Sequence, residues 1–215
     1  MPPRPAEIGL FEAMYTQRAL RRLKPDPVPD ELVTRLIEAA TKAPSGGDRQ
    51  PWAFIVIRDP KAREQIGAWY LDAWNKTYGA VPEANRASMP AGRKRVYKSA
   101  EHLALHLAEA PVLILVCARH ALPPNLPHAT SSHYGSVFPA VQNLLLAARG
   151  LGLGATLTTL HKAHDAELKQ LLGIPEKVET VALIPIGYAV GKYGPTKRRP
   201  VEEVTHIDRW DAAKS

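Results

Sequence analysis

Two sets of basic side chains stand near opposite ends of this 215-residue chain: Arg18, Arg21 and Arg22 with Lys24, and Lys197, Arg198 and Arg199. Guanidinium groups held in such sets suit the doubly charged oxygens of a phosphate. The chain as a whole is basic, with 28 Lys+Arg against 21 Asp+Glu and a formal charge of +7. That balance fits nucleic acid, an anionic membrane or a phosphorylated small molecule, and the placement of the charge must choose among them. Other chemistries lack their residues. Cys117 is the only cysteine, which excludes an internal disulfide and a cysteine zinc cluster, and its apolar surroundings make it a buried, inert thiol. His102 and His106 share a helix face at i, i+4 spacing, but no third ligand accompanies them, so they are expected on a solvated face and no metal is expected. Gly150-Leu-Gly152-Leu-Gly154 follows a helix and precedes a strand, the reverse of a dinucleotide fingerprint, and no phosphate-binding P-loop is present. Gly135-Ser136-Val137 lacks the nucleophile elbow of a hydrolase.

The elements that must position these groups follow from periodicity. Ile8, Phe11, Met14 and Tyr15 fall at helical spacing within residues 5–22. Pro29, Asp30 and Glu31 open a second helix with the stripe Leu32, Leu36, Ile37 and Ala40, which stops before Pro44. Residues 53–58 predict a buried strand, 61–78 an aromatic-rich helix, 79–95 a loop or irregular insertion, and 97–109 another helix. Residues 111–118 predict a central strand and 120–134 a mobile loop. Residues 136–149 give the clearest helix, with Val137, Val141, Leu144, Leu145 and Ala148 on one face. A strand at 153–158, a short helix at 165–172 ended by Gly173, and a strand at 178–185 complete the pattern. Helices outnumber strands and no repeat or long polar linker occurs, so the expectation is one α+β domain over residues 1–215, a small mixed sheet surrounded by helices. With 45% hydrophobic and 23% charged residues the chain has material for a proper core. Its longest apolar run, residues 111–118, is far short of the roughly 20 residues a membrane helix needs, and no secretory signal stands at residues 1–8, so a cytoplasmic protein is expected.

The decapeptide Ala-Pro-Ser-Gly-Gly-Asp-Arg-Gln-Pro-Trp at residues 43–52 resembles the A-P-S-x-x-N-x-Q-P-W signature of the FMN-dependent nitroreductase family. The order around it is similar too. Gln17-Arg-Ala-Leu-Arg21 stands where that family has R-R-S-x-R, Pro27-Val-Pro follows, and the segments 140–148, 152–159, 184–188 and 197–200 resemble the family's later helix, strand and closing stretch. The resemblance covers about residues 11–205, with 60–100 and 119–134 in the family's variable positions.

The resemblance implies a nitroreductase-like fold, with a mainly antiparallel sheet and a domain completed by homodimerisation. It places Gln17, Arg18, Ala19 and Arg21 at the FMN phosphate and pyrimidine side. Pro44, Ser45, Gly46, Asp48 and Gln50, and Ser136 at the start of its helix, would reach the flavin bound mainly by the partner subunit. Thr158, Thr159 and Leu160 would present backbone donors to the flavin edge, and Lys197, Arg198 and Arg199 would close over the phosphate. Gln17 and Ala19 remove one charge and one hydroxyl from the family pattern. Asp48 replaces the usual Asn and would oppose flavin reduction unless turned away or paired, Arg49 being a candidate partner. Trp69, Tyr70, Trp74, Tyr78 and Tyr97 could form an aromatic wall over the flavin or pack as the half-buried side of a helix.

The implied function is transfer of electrons from NADH or NADPH, through FMN, to a flat electron-poor acceptor such as a nitroaromatic or quinone, by a ping-pong mechanism with no protein nucleophile or general base. Reductive dehalogenation and flavin-consuming benzimidazole synthesis are chemistries of the same fold. Outside enzymes, a basic nucleic-acid-binding protein would use the same charge, but no recognition helix or aromatic-basic interleaving is visible, so no nucleic acid and no membrane are expected as partners.

Overall fold

The computed structural model describes residues 8–119 and 127–211. Its centre is a four-stranded sheet of β1 (Trp52–Ile57), β2 (Val112–Ala118), β3 (Leu153–Ala155) and β4 (Glu179–Tyr188), in the order β1-β2-β4-β3. The helices are α1 (Leu10–Thr16), α2 (Asp30–Thr41), α3 (Pro60–Trp74), α4 (Glu83–Ala87), α5 (Ala91–His106), α6 (Pro127–Gly150) and α7 (Asp165–Leu172). All three strand pairings are antiparallel, so the sheet is not mixed among the described strands. The α+β class, a small sheet surrounded by helices, otherwise stands.

Alternation along β2 divides the core. Val112, Ile114 and Val116 join Ile184 and Ile186 under α2 and α6, where Leu36, Ala40, Val141 and Leu144 are buried. Leu113, Leu115 and Cys117 face the other way, against Ile66, Tyr70 and Trp74 of α3 and Leu103 of α5. Central β2 is buried on both faces, which is why its sequence is a continuous apolar run rather than an alternating one. Burial also pushes the Cys117 thiol up to about 11, so it stays protonated and inert.

Several elements depart from the sequence expectation. The first helix is confined to α1, and its apolar residues Leu10, Phe11, Met14 and Tyr15 are exposed while Ala13 alone is buried. Residues 17–24 run extended instead, pinned by Leu20 N–H to the Ala155 carbonyl (3.1 Å), Lys24 N–H to Tyr188 (2.7 Å) and a bridge from Leu23 to Ala189. Gly187 admits this approach: a Cβ there would lie 3.0 Å from Pro111 and 3.1 Å from Leu23. The segment 79–95 is not a loop, since Pro82 and Pro90 each cap a helix and launch α4 and α5. Residues 127–134 are the first turns of α6, where Thr130, Ser131 and Ser132 are exposed while His133 and Tyr134 turn to Glu179, and 120–126 lie outside the described residues. Ser136 is therefore well inside α6 rather than at its start.

Candidate functional site

A cavity of about 430 Å³ opens beside the end of α3. Arg21, Tyr70, Trp74, Tyr78 and Tyr97 line it together with Thr158, Thr159 and Leu160. The extended run after α1 brings Arg21 here, and a bridge between Thr158 and Leu183 holds the stretch after β3 against the sheet. Thr159 and Leu160 open a 3-10 turn, where backbone N–H groups have no partner within the turn. The Tyr70 hydroxyl and Thr158 Oγ1 are 2.8 Å apart, which fixes both side chains at the cavity.

Arg21 dominates the electrostatics. It is half-buried, and desolvation pulls its pKa below the ordinary guanidinium value more than nearby Tyr70 raises it. No carboxylate pairs with it among the described residues. Tyr70 gives no compensating charge, because burial pushes its own pKa up and keeps the phenol neutral. A guanidinium held in this way fits an anionic ligand.

The other expected site residues lie elsewhere on the chain. Pro44, Ser45 and Gly46 border a hollow of about 250 Å³ with Ser132, Gly135 and Ser136. Gly46 N–H donates to Ser136 Oγ (3.0 Å), whose hydroxyl donates in turn to the Ser132 carbonyl (2.7 Å). A Cβ on Gly46 would stand 2.5 Å from Ser132 Oγ, so a larger residue there would oblige the Ser132 hydroxyl to rotate away. Pro139 lacks the N–H that would bond the Gly135 carbonyl four residues back, which leaves that acceptor free of its helical donor beside the hollow.

Asp48 and Gln50 border a third cleft with Arg119 and Phe54. Both have left-handed backbone, φ 52° and 48°, and Gln50 N–H donates to Ser45 Oγ (3.0 Å). Asn and Asp tolerate that conformation best among non-glycine residues, which accounts for an Asp where the motif has Asn. Asp48 does not pair with Arg49: its Oδ1 accepts from Gln50 Nε2 at 3.0 Å.

Gln17 ends α1, followed by exposed Arg18 and Ala19. The tail lies beside them, because Thr196 donates to the Tyr15 carbonyl through both N–H (3.0 Å) and Oγ1 (3.1 Å). That brings Lys197, Arg198 and Arg199, all exposed, close to the first basic cluster. Arg149 near the end of α6 clasps the two segments. It donates to Thr16 Oγ1 (2.8 Å), pairs with Glu12 (3.0 Å) and lies 4.5 Å over the Tyr193 ring.

Sequence reasoning missed Arg149 and the cavity residues Val81, Met89, Arg93 and Val96. Pro82-Glu83 and Pro90-Ala91 repeat the proline signal that marked α2 and could have found the last four. Of the aromatic set, Trp69 stays out of the cavity and stacks on His164 at 6.0 Å. His102 and His106 face each other at 4.2 Å, with His106 Nδ1 2.7 Å from Glu109.

The model of the nitroreductase family matches residues 15–188. The chain belongs to that family. It is thus an enzyme of the flavin oxidoreductase class. It is 28% identical to the NADH dehydrogenase of Thermus thermophilus, over 89% of this chain and 92% of that protein. It is 30% identical to iodotyrosine deiodinase 1 of Rattus norvegicus over 83% of its length, but that match spans only 61% of the rat protein. Among solved structures, the oxidised iodotyrosine deiodinase bound to FMN and 3-iodo-L-tyrosine superposes with a TM-score of 0.68 at 24% identity, covering 95% of this chain and 100% of that one. Family membership and Arg21, turned into an aromatic cavity rather than spread on an open basic face, both weigh against a nucleic-acid-binding module.

Proposed function

We propose that this chain is an FMN-dependent oxidoreductase that moves electrons from NADH or NADPH to a flat, electron-poor aromatic acceptor, a nitroaromatic or a quinone. The observation that carries this reading is Arg21, a half-buried guanidinium without a carboxylate partner among the described residues, in a cavity walled by Tyr70, Trp74, Tyr78 and Tyr97. Bound FMN would supply the hydride and electron chemistry. The chain supplies the rest. Arg21, with Arg18 and the tail cations Lys197, Arg198 and Arg199, would neutralise the anionic parts of the cofactor. Thr159 and Leu160 would offer backbone N–H groups to one edge of the ring, while Tyr70 holds the Thr158 hydroxyl. The aromatic wall excludes water and gives a flat acceptor a surface to stack on. No side chain is needed as nucleophile or base.

The working unit in this reading is a homodimer. Pro44, Ser45, Gly46 and Ser136 line a different hollow from Arg21, so their contribution to a flavin is to the site of the neighbouring copy. The exposed apolar set Leu10, Phe11, Met14 and Tyr15 supports an apolar interface, expected to bury more than about 2,000 Å². A second reading, reductive removal of halide from an aromatic ring, is supported by the likeness to the rat deiodinase.

The test is the absorbance spectrum of the purified protein, with its mass by light scattering and its turnover of a nitroaromatic and of an iodophenol. Flavin bands near one FMN per chain in a dimer, with nitroaromatic reduction, support the first reading. Iodide release without nitroaromatic turnover replaces it with the second. A colourless chain that leaves added FMN fluorescence unquenched overturns both, and a flavin-loaded monomer overturns the shared site.

A further inference from the structure

We infer that the acceptor taken by the aromatic cavity is itself an anion, a flat aromatic bearing a carboxylate, and that Arg93 is the residue that selects it. The inference rests on reading this cavity as the acceptor site. Two guanidiniums line the cavity, Arg21 and Arg93, and no carboxylate does. Arg21 is assigned to the cofactor, which leaves Arg93 as the unassigned cation.

The charge around Arg93 is unusual for a helix start. Arg93, Lys94 and Arg95 stand in the first turns of α5, whose first turn carries no acid. Cations at a helix N-terminus oppose the macrodipole, so this arrangement sacrifices some helix stability. Nor is the charge neutralised locally. Residues 79–101 hold five cations, Arg86, Arg93, Lys94, Arg95 and Lys98, against two carboxylates, Glu83 and Glu101. Both carboxylates lie against Arg86, at 3.0 and 3.9 Å, in the adjoining cleft. Arg93 makes no ion pair among the described residues and is exposed.

The wall beside it is preorganised for a ring. Trp74 lies 5.1 Å from Tyr78 and 5.4 Å from Tyr97 between ring centroids, and the Tyr97 hydroxyl donates to the Tyr78 carbonyl at 3.1 Å. A planar ligand stacked on this wall can direct a charged substituent to Arg93, where a guanidinium suits the two oxygens of a carboxylate.

The test titrates the FMN-loaded protein, without reductant, with 4-nitrobenzoate and with its neutral isostere 4-nitrobenzamide, following quenching of tryptophan fluorescence. The carboxylate should bind about tenfold more tightly at low salt, as expected for one charge-assisted contact, with the ratio shrinking as salt rises. Arg93→Gln should bring the ratio of the two Kd values close to one. Arg95→Gln, on the same helix but not in the cavity lining, should preserve it. In turnover the kcat/KM ratio should follow the binding ratio. Equal affinities in the unaltered protein overturn the inference, as does a ratio that survives Arg93→Gln or falls equally in Arg95→Gln. A flavin-loaded, active protein without anion preference refutes this inference alone. A chain that takes up no flavin refutes the cofactor reading instead, and the same titration still measures the preference.

Discussion

Replacing Arg21 by Met should weaken FMN binding and, at the same time, stabilise the flavin-free protein. The guanidinium is partly withdrawn from water, its pKa is pulled down mainly by desolvation, and no carboxylate offsets that cost among the described residues. Losing a charged donor to an anionic oxygen costs about 1.5–3 kcal/mol, which is roughly a 10- to 150-fold rise in Kd for FMN. In the flavin-free chain the same change removes a desolvated charge and puts an unbranched apolar side chain of similar length against Tyr70 and Trp74. Such replacements are neutral or stabilising, and a gain of about 1 kcal/mol would raise the melting temperature by roughly 2–4 °C in a chain of this size. The assays are quenching of FMN fluorescence on titration and thermal melts of the flavin-free proteins. Arg21→Lys separates charge from geometry, because it keeps the cation but loses the planar fork. An unchanged Kd in Arg21→Met would move the anion contact to Arg18 or Arg198. A lower melting temperature without flavin would show that Arg21 has a stabilising partner in the fold, and the reasoning would fail.

Other outcomes follow from the same contacts. Ser136→Ala leaves the Gly46 N–H without its acceptor, so it should cost about 1–2 kcal/mol in urea unfolding; no loss would mean that water replaces the hydroxyl freely. His161 is 3% exposed, neither ring nitrogen has a hydrogen-bond partner among the described residues, and burial, aided by Lys162, lowers its pKa from 6.5 to about 4. The unfolded chain then binds more protons between about pH 4 and 6.5, so stability rises with pH across that window, by about 3 kcal/mol, and is flat above it. His161→Leu should remove that slope, and equal urea midpoint shifts between pH 4.5 and 7.5 in both proteins would contradict the assignment. If reductant and acceptor use one cavity in turn, as the proposed function has it, initial rates should give parallel double-reciprocal lines, and loss of either His161 or His133, whose Nε2 lies 3.1 Å from Glu179, should cost less than the roughly 10²-fold of a general acid–base residue. Intersecting lines would require a second acceptor site.

Elements with one dominant signal were legible in the sequence. The helix over 165–172 ends at Gly173, whose φ of 64° suits glycine, and strand β2 declared itself as an apolar run. The segment 79–95 was not legible because α4 has only five residues, none of them buried, and the first turns of α5 are exposed, so the stretch carries little apolar periodicity; the prolines that begin these helices also begin loops. For the candidate site, the motif at residues 43–52 was visible from residue types alone, but its backbone was not. Left-handed φ at Asp48 and Gln50 follows from how the loop turns toward Ser136, a contact across 90 residues. Arg93 was invisible for a related reason. Glu83 and Arg86 stand at the i, i+3 spacing of a helical ion pair, but that Glu101 also turns to Arg86, which leaves Arg93 without a carboxylate, is a contact between two helices that no spacing rule announces.

Helix α6 explains why one chain holds its candidate site in pieces. Near its middle Ser136 grips the motif loop through Gly46, and near its end Arg149 grips α1, from which the run to Arg21 departs. Thirteen residues separate those two grips, about 20 Å along the axis at 1.5 Å per residue. The helix is a rigid spacer, buried along Val137, Val141, Leu144 and Ala148 in the core that also holds α2. It therefore anchors the motif loop and the run to Arg21 at separate points within one copy, where they line different cavities. A two-fold axis removes the difficulty, because in an isologous pair a loop of one copy that meets the Arg21 strand of the other does so twice. The exposed apolar residues Leu10, Phe11, Met14 and Tyr15 lie on the helix that Arg149 clasps, so the surface such a pair would cover is continuous with the element that sets the path of Arg21.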